Sequence, residues 1–168
     1  SSKIYAQTLS VNFGMNKFKY SDSLNMLDTY LSVDASSVNF TKNPNGKNQA
    51  SVKSVVMIID EDLNDTIFDI FNLQSPEIDT FVTFSEFNVQ RRYLLKPKNY
   101  KIDLAFDDVN TKDTALRTTI KIDLSFIDDK ISSSDIQLLE KYSKTEKESV
   151  LSKNGYDIIA TGRREERL

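Results

Sequence analysis

Two segments of this chain alternate strictly between apolar and polar residues, and that period of two constrains the fold more than any other feature. They are residues 100–106 (YKIDLAF) and 120–126 (IKIDLSF). Successive side chains of a β-strand point to opposite faces, so each segment presents one apolar face and one mostly polar face. The pattern predicts two half-buried strands of a sheet.

The most apolar run of the chain is 52–60 (VKSVVMIID). Because it is apolar on both faces from Val55 to Ile59, it is expected to be a central strand that is covered on both sides. Residues 66–71 (TIFDIF) are its predicted partner strand. The segment before it contains Pro44-Asn45-Gly46, in which Pro presets its backbone angle and Asn-Gly accepts a positive φ, and this predicts a hairpin turn.

The other predicted elements are also extended. Strands are expected at 4–13, 26–33, 80–84 and 87–95, and a loop is expected at 14–25. Turn residues at 97–99 lead into Tyr100, which has the position of the tyrosine corner of immunoglobulin-like domains or is an ordinary core residue.

About seven strands separated by turns, with no long amphipathic helix, predict an all-β fold. The expected architecture is an immunoglobulin- or fibronectin-like β-sandwich over residues 1–126, followed by a short C-terminal appendage at 127–168. In the appendage, 140–150 is expected to be an exposed loop or helix and 155–160 a last short strand. The tail at 162–168 does not resemble a natural domain end, so we expect a fragment of a longer protein.

Composition limits the chemistry that these 168 residues can perform. They contain no Cys and no His, which excludes thiolate catalysis, Cys-ligated zinc and the Ser-His-Asp triad. Four Gly supply no glycine-rich phosphate loop. We therefore predict a protein that is not an enzyme and has no cofactor.

Charge is segregated along the chain. Asp60 to Glu86 contains eight acidic residues and no Lys or Arg, whereas 91–101 contains five basic residues and no acid. This pattern indicates either complementary charge on neighbouring strands or a docking patch. If it is a patch, its residues are Arg91, Arg92, Lys96 and Lys98. So short a basic run in an acidic chain argues against nucleic acid as a partner.

One acidic segment has the start of a calcium-binding pattern. Asp60, Asp62, Asn64 and Asp65 place oxygen ligands near alternate positions of a loop, as at the start of an EF-hand. The pattern then fails, because Asp65 stands where the loop needs Gly and Phe71 stands where it needs a bidentate acid. The segment is either a polar hairpin turn or a candidate calcium site.

Several phrases, in order, resemble the N-terminal region of the GWxTD-domain proteins, which are exported proteins of Bacteroidetes. They are LDTYLSVDASSVNF (27–40), VKSVVMIIDED (52–62), LLKPKNYKIDLAFDD (94–108), SSDIQLL (133–139) and KNGYDII (153–159). The Gly-Trp-x-Thr-Asp motif itself is not in this chain, which has no Trp, so the resemblance covers only the β-sandwich region. It implies a cell-envelope protein of unknown function, either periplasmic or associated with the outer membrane.

Two functions follow as hypotheses. The first is a non-catalytic module for protein–protein interaction, a subunit or accessory of an outer-membrane assembly whose partners are other envelope proteins. The alternative is a carbohydrate-binding or calcium-stabilised adhesion module. No run of about 18 apolar residues exists, so the chain is not expected to span a membrane.

Overall fold

The computed structural model describes residues 8–79, 85–126, 139–145, 152–153 and 156–160. Within them the regular elements are strands and one short 3₁₀ turn, Ala35–Ser37. The strands are β1 (Val11–Lys19), β2 (Asn25–Asp34), β3 (Thr41–Lys42), β4 (Asn48–Gln49), β5 (Ser51–Asp60), β6 (Asp65–Gln74), β7 (Glu86–Leu95), β8 (Asn99–Asp108), β9 (Leu116–Asp123), β10 (Leu139–Lys144), β11 (Ser152–Lys153) and β12 (Tyr156–Ala160). The fold class is therefore an all-β sandwich, as predicted.

The strands form four sheets with distinct orders. One has the order β1-β2-β7 and another the order β6-β5-β8-β9, while β3-β4 is a two-stranded hairpin and β10-β12-β11 a small third sheet. If the seven long strands are lettered A to G along the chain, the two main sheets read A-B-E and D-C-F-G. The fourth strand pairs with the third rather than with the fifth, which distinguishes the order of the described strands from that of constant-type immunoglobulin domains.

The central position predicted for the 52–60 segment is confirmed. β5 pairs antiparallel with β6 on one side and with β8 on the other, over almost its whole length. One face is buried by Val52, Val56 and Ile58. The expectation of full coverage on both faces was wrong, because the opposite side chains, among them Met57, are only half-buried.

The first alternating segment folds as predicted, with Tyr100, Ile102, Leu104 and Phe106 all buried on β8. The second does so only in part: Ile122 and Leu124 are buried, but β9 ends at Asp123, and Ile120 and Phe126 are half-buried. The Pro-Asn-Gly turn joins β3 to β4, with Gly46 at φ 75°, a backbone conformation that glycine adopts without steric cost. Tyr100 is buried at the start of β8, which is the position of a tyrosine corner. The strands predicted at 26–33 and 87–95 are confirmed as β2 and β7.

Two expectations were wrong. The predicted loop at 14–25 is strand over Gly14–Lys19, because pairing with β2 outweighs the polar composition of that stretch. The loop or helix expected from residue 140 is strand up to Lys144, since its backbone pairs with β12. The expected strands at 80–84 and at the start of 4–13, and the tail at 162–168, lie outside the described residues.

The described chain divides into two compact units. The first is built mainly from Ser32–Asn88 and Tyr100–Ile122, with a core that includes Val52, Ile102 and Leu104. The second is built from Asn12–Leu31, Val89–Asn99 and the described part of Asp123–Leu168, and its buried apolar side chains include Phe18, Leu27, Tyr30, Leu31, Leu95 and Leu124. The boundary predicted at residue 126 stays a prediction.

The alternation on β9 can be tested by placing the same charge on its two faces. Ile122→Asp should lower the free energy of unfolding by about 3 kcal/mol or more, because an unpaired carboxylate replaces a buried side chain. Urea denaturation measures this loss. Lys121→Asp is the matched control, because Lys121 is the exposed neighbour on the opposite face and its replacement should cost less than about 0.5 kcal/mol. Equal losses for the two variants would show that the assigned faces are wrong.

Candidate interaction surface

The outer face of the β6-β5-β8-β9 sheet is apolar at its β6 end. In the register of β5 and β6, Val55 lies opposite Ile70 and Met57 lies opposite Phe68. Phe68 and Ile70 are 64% and 59% exposed, whereas Val55 and Met57 are half-buried. Large apolar side chains grouped on a sheet face in this way are typical of a binding surface rather than of an ordinary solvated strand.

β6 is also an edge of its sheet, since no described strand pairs with its other side. The backbone N–H of Ser75 donates to the carbonyl of Ala50 at 2.9 Å, which makes 50 and 75 a hydrogen-bonded pair in this register. Hydrogen-bonded and non-hydrogen-bonded pairs alternate along an antiparallel ladder. The non-hydrogen-bonded pairs on β6 therefore include Thr66, Phe68, Ile70 and Asn72. The backbone N–H and C=O groups of these residues point away from β5.

The backbone groups at this edge and the apolar side chains thus belong to the same residues. Phe68 and Ile70 each present an exposed apolar side chain on the outer face and hydrogen-bonding groups along the edge that no described strand pairs with. We call Thr66, Phe68, Ile70 and Asn72, together with Met57, the β6 surface. An edge of this kind is a template for a further strand.

Acidic side chains accompany the β6 surface. Asp65 and Asp69 lie on β6 on the same face as the buried Leu73, opposite to the face of Phe68 and Ile70. The preceding turn adds the exposed Glu61 and Asp62. No Lys or Arg occurs from Asp60 to Glu86, so this segment of the sequence is acidic throughout.

The β8 end of the same outer face is polar and internally paired. The Thr119 hydroxyl donates to Asp103 Oδ1 at 2.7 Å, and Lys101 Nζ lies 3.1 Å from Asp103 Oδ2. The Thr119 hydrogen bond, followed by the contacts with Lys101, lowers the pKa of the Asp103 carboxyl below its usual value. This half of the face therefore forms a solvated border beside the apolar half.

The candidate calcium residues form the four-residue turn between β5 and β6. The Asp60 carboxylate Oδ1 accepts the backbone N–H groups of Asp62 and Leu63, both at 3.2 Å, and Asn64 adopts a positive φ of 51°. These are the roles of Asp and Asn in a tight turn. Within the described residues no group of three or more Asp, Glu, His or Cys side chains is arranged to hold a metal ion.

The four basic residues predicted as a docking patch have unlike surroundings. Arg92 is 18% exposed and its Nε lies 2.7 Å from Oδ1 of Asp28, whose side chain is fully buried. Arg91 and Lys98 are half-buried, and Lys96 is exposed in the turn before β8. The structure therefore does not bring the four together as one exposed cluster, and their role in interaction stays a prediction.

Asp28 is the centre of a buried polar cluster that sequence reasoning missed. Its Oδ2 accepts hydrogen bonds from the Tyr30 hydroxyl at 3.2 Å and from Gln90 Nε2 at 3.1 Å, in addition to the contact with Arg92. Burial, followed by the charge of Asp28, raises the pKa of Tyr30 above its usual range, so Tyr30 is a hydrogen-bond donor here. The signal in the sequence is a lone acid within the apolar stretch 26–33 and a strand that carries two Arg.

A cavity of about 300 Å³ lies beside the loop between β8 and β9, with Leu9, Phe106, Thr111 and Leu116 in its wall. Three acids, Asp107, Asp108 and Asp113, lie in this wall, and Asp108 holds the loop. Its carboxylate accepts the backbone N–H of Asn39 at 2.8 Å and that of Asn110 at 2.9 Å. The side chain of Asn110 in turn donates to the Asn39 carbonyl at 2.7 Å.

Comparison with known proteins places the chain in no family. No protein-family model matches it, and neither a curated protein nor a solved structure matches it. Within the described part of the chain there is also no helix with the length and apolar character needed to cross a membrane.

Arg92→Met should destabilise the protein by about 3 kcal/mol or more, because it leaves the buried carboxylate of Asp28 without its counter-charge. Unfolding by urea, followed by circular dichroism, measures the loss. The double variant Asp28→Asn/Arg92→Met removes both charges and should recover much of it. A double variant no more stable than Arg92→Met would contradict the ion-pair explanation.

The turn between β5 and β6 contains one acid whose carboxylate accepts backbone N–H groups, Asp60, and one that is exposed, Asp62, so the two can be compared by mutation. Asp60→Ala should lower the free energy of unfolding by about 1 kcal/mol, because two turn N–H groups lose their acceptor, whereas Asp62→Ala should be nearly neutral. Thermal melting with calcium or with a chelator makes the comparison. A calcium-dependent melting temperature that Asp62→Ala abolishes would show that the turn is a metal site.

Proposed function

We propose that this chain is a non-catalytic β-sandwich module for protein–protein interaction, and that the β6 surface is where its partner docks. The observation that carries the proposal is the coincidence, at Phe68 and Ile70, of exposed apolar side chains with outward-directed backbone groups. Edge strands are usually protected by charge, bulges or cover, and large apolar side chains are rarely left on them unless something binds there.

The size of the surface also fits this role. β6 is a ten-residue strand, among the longest described in this chain, and its regular register with β5 continues from Asp65 to Gln74 without interruption. A long, regular edge supplies a continuous row of hydrogen-bonding groups, which is what strand addition requires. A short or bulged edge would not.

For the cellular setting, we propose the bacterial envelope, with other envelope proteins as partners. The support for this part is the resemblance of residues 27–40, 94–108 and 153–159 to the GWxTD-domain proteins. A periplasmic or outer-membrane location follows from that resemblance alone. The interaction proposal is independent of it, because it depends on the geometry of β6.

The proposal can be tested with a photo-cross-linking amino acid placed at single positions in the cells that make the protein. At Ile70, irradiation should attach a defined partner in substantial yield, because this side chain lies on the β6 surface. Lys121, exposed on the opposite edge strand, is the control position and should give little product. Equal cross-linking at both positions, or none at Ile70, would contradict the proposal.

A further inference from the structure

The turn between β3 and β4 contains an asparagine whose side chain can react with its own backbone. Asn45 and Gly46 are both exposed, and a Cβ added at Gly46 would meet no heavy atom within 4 Å. Because glycine has no side chain, its backbone nitrogen can approach the side-chain carbonyl carbon of the preceding residue without steric hindrance. Asparagine is among the thermally labile residues of proteins.

The reaction is a deamidation in which water is the co-reactant. The backbone nitrogen of Gly46 bonds to Cγ of Asn45, the bond from Cγ to Nδ2 breaks, and the displaced nitrogen takes up the amide proton and leaves as ammonia. Water then opens the succinimide ring at either of its carbonyls and leaves an aspartate or an isoaspartate. The Gly46 N–H donates to the Asn43 carbonyl at 2.9 Å, so the attack proceeds through a local opening of this exposed turn.

The amide of Asn45 helps to hold the β3–β4 hairpin against the segment that follows β6. Its Nδ2 donates to Oε1 of Glu77 at 3.2 Å, and Nδ2 of Asn43 donates to the same oxygen at 2.6 Å. Next to them, Asn48 and Ile78 exchange both of their backbone hydrogen bonds, at 2.9 and 3.0 Å. The Glu77 carboxylate therefore joins the turn to this segment alongside the backbone bridge.

Deamidation would turn the contact with Glu77 from attraction into repulsion. A carboxylate at position 45 has no proton to donate, and it would lie beside the carboxylate of Glu77, where like charges disfavour each other. Two bases lie in the same hairpin, but each already has a partner. Lys47 contacts Asp79, and Lys42 donates to a backbone carbonyl of the turn at 3.3 Å.

We propose that Asn45 is a site of spontaneous deamidation, and that the carboxylate formed there weakens the attachment of the β3–β4 hairpin to residues 75–79. The change accumulates with the age of the protein, because hydrolysis of the amide is not reversed. This inference is independent of the β6 surface and of the partner that docks there.

Asn43 is an internal control for the reaction. It lies in the same turn and donates to the same oxygen of Glu77, but it precedes Pro44, whose nitrogen carries no proton. The folded whole chain is incubated at mildly alkaline pH and cleaved after Lys42 and Lys47, and the peptide between them is analysed by mass spectrometry against a fresh sample. Asn45 should be converted to the acid, and Asn43 should remain an amide.

A second control changes only the reacting side chain. Asn45→Gln keeps the amide but would have to close a larger ring, so position 45 should stay unmodified in this variant. An Asn45 that is not converted in the original chain, or conversion at Asn43 to the same extent, would overturn the proposal.

The structural consequence is measured on Asn45→Asp, which reproduces the aspartate product. Amide hydrogen exchange at Asn48 and Ile78, followed by NMR, should be at least about three-fold faster than in the original chain, because the bridge opens more often. Exchange at Ile102, buried on β8, should not change. Melting temperatures establish that each variant is folded.

Two further variants separate repulsion from the loss of a hydrogen bond. Asn45→Ala removes the donor without adding charge and should accelerate exchange less than Asn45→Asp does. Asn45→Asp/Glu77→Gln should restore slow exchange, because the new amide can donate to the new carboxylate. Unchanged exchange in Asn45→Asp would refute the weakened attachment, and equal acceleration in Asn45→Asp and Asn45→Ala would refute the role of charge.

Discussion

The four-stranded sheet depends on the pairing of β5 along both of its edges. Alternate residues of this strand bond to β8 and to β6, so its backbone groups are satisfied within the sheet, and Val56 and Ile58 point into the core. This arrangement leaves β6, on one side of β5, as an edge among the described strands, whereas β8 on the other side is paired with β9. The exposed apolar residues of β6 gain their importance from that position, because the same side chains on a central strand would have no free backbone beside them.

Burial determines the use of charge elsewhere in the chain. β2 is buried on both faces along most of its length, and a carboxylate within it, that of Asp28, has to be matched by donors. Tyr30, Gln90 and Arg92 supply them. The basic run at 91–101 resembles a surface patch in the sequence, but one of its residues, Arg92, is the counter-charge of the buried Asp28. The acidic run from Asp60 onward differs, since much of it lies on an exposed turn and an edge strand.

Most of the sheet could be predicted from the sequence, because burial of one face imposes a period of two on the side chains. β8 shows that period clearly and was recognised with its core residues, whereas β5 is apolar on both faces from Val55 to Ile59, so its sequence predicted a central strand but not which face is buried. β1 does not show the period, since Phe18 interrupts the alternation of Phe13 and Met15, and its strand state comes from pairing with β2. Periodicity describes the faces of a strand and contains no information about its neighbours.

For the same reason, the candidate surface was only partly predictable. The acidic run and the apolar character of 66–71 were visible, but nothing in that segment shows that β6 lies at an edge or that Phe68 faces solvent. The partner of Asp28 is separated from it by more than sixty residues, as the contact with Arg92 shows. Long-range pairing of this kind is decided by the topology of the whole sheet.

The register of β5 also bears on how the chain reaches its fold. β5 and β6 are joined by a turn of four residues, whereas β5 and β8 meet only after about 40 to 55 residues of intervening chain have been brought together. Contacts so distant in sequence are associated with slow folding, and local hairpins form much faster. One side of the central strand is thus covered early by its own hairpin partner, while its other side has to wait for β8. During that interval β6 is the edge of the β5–β6 hairpin, and its acidic side chains repel the same strand of another copy of the chain. This repulsion gives a slowly folding chain a measure of protection against premature association.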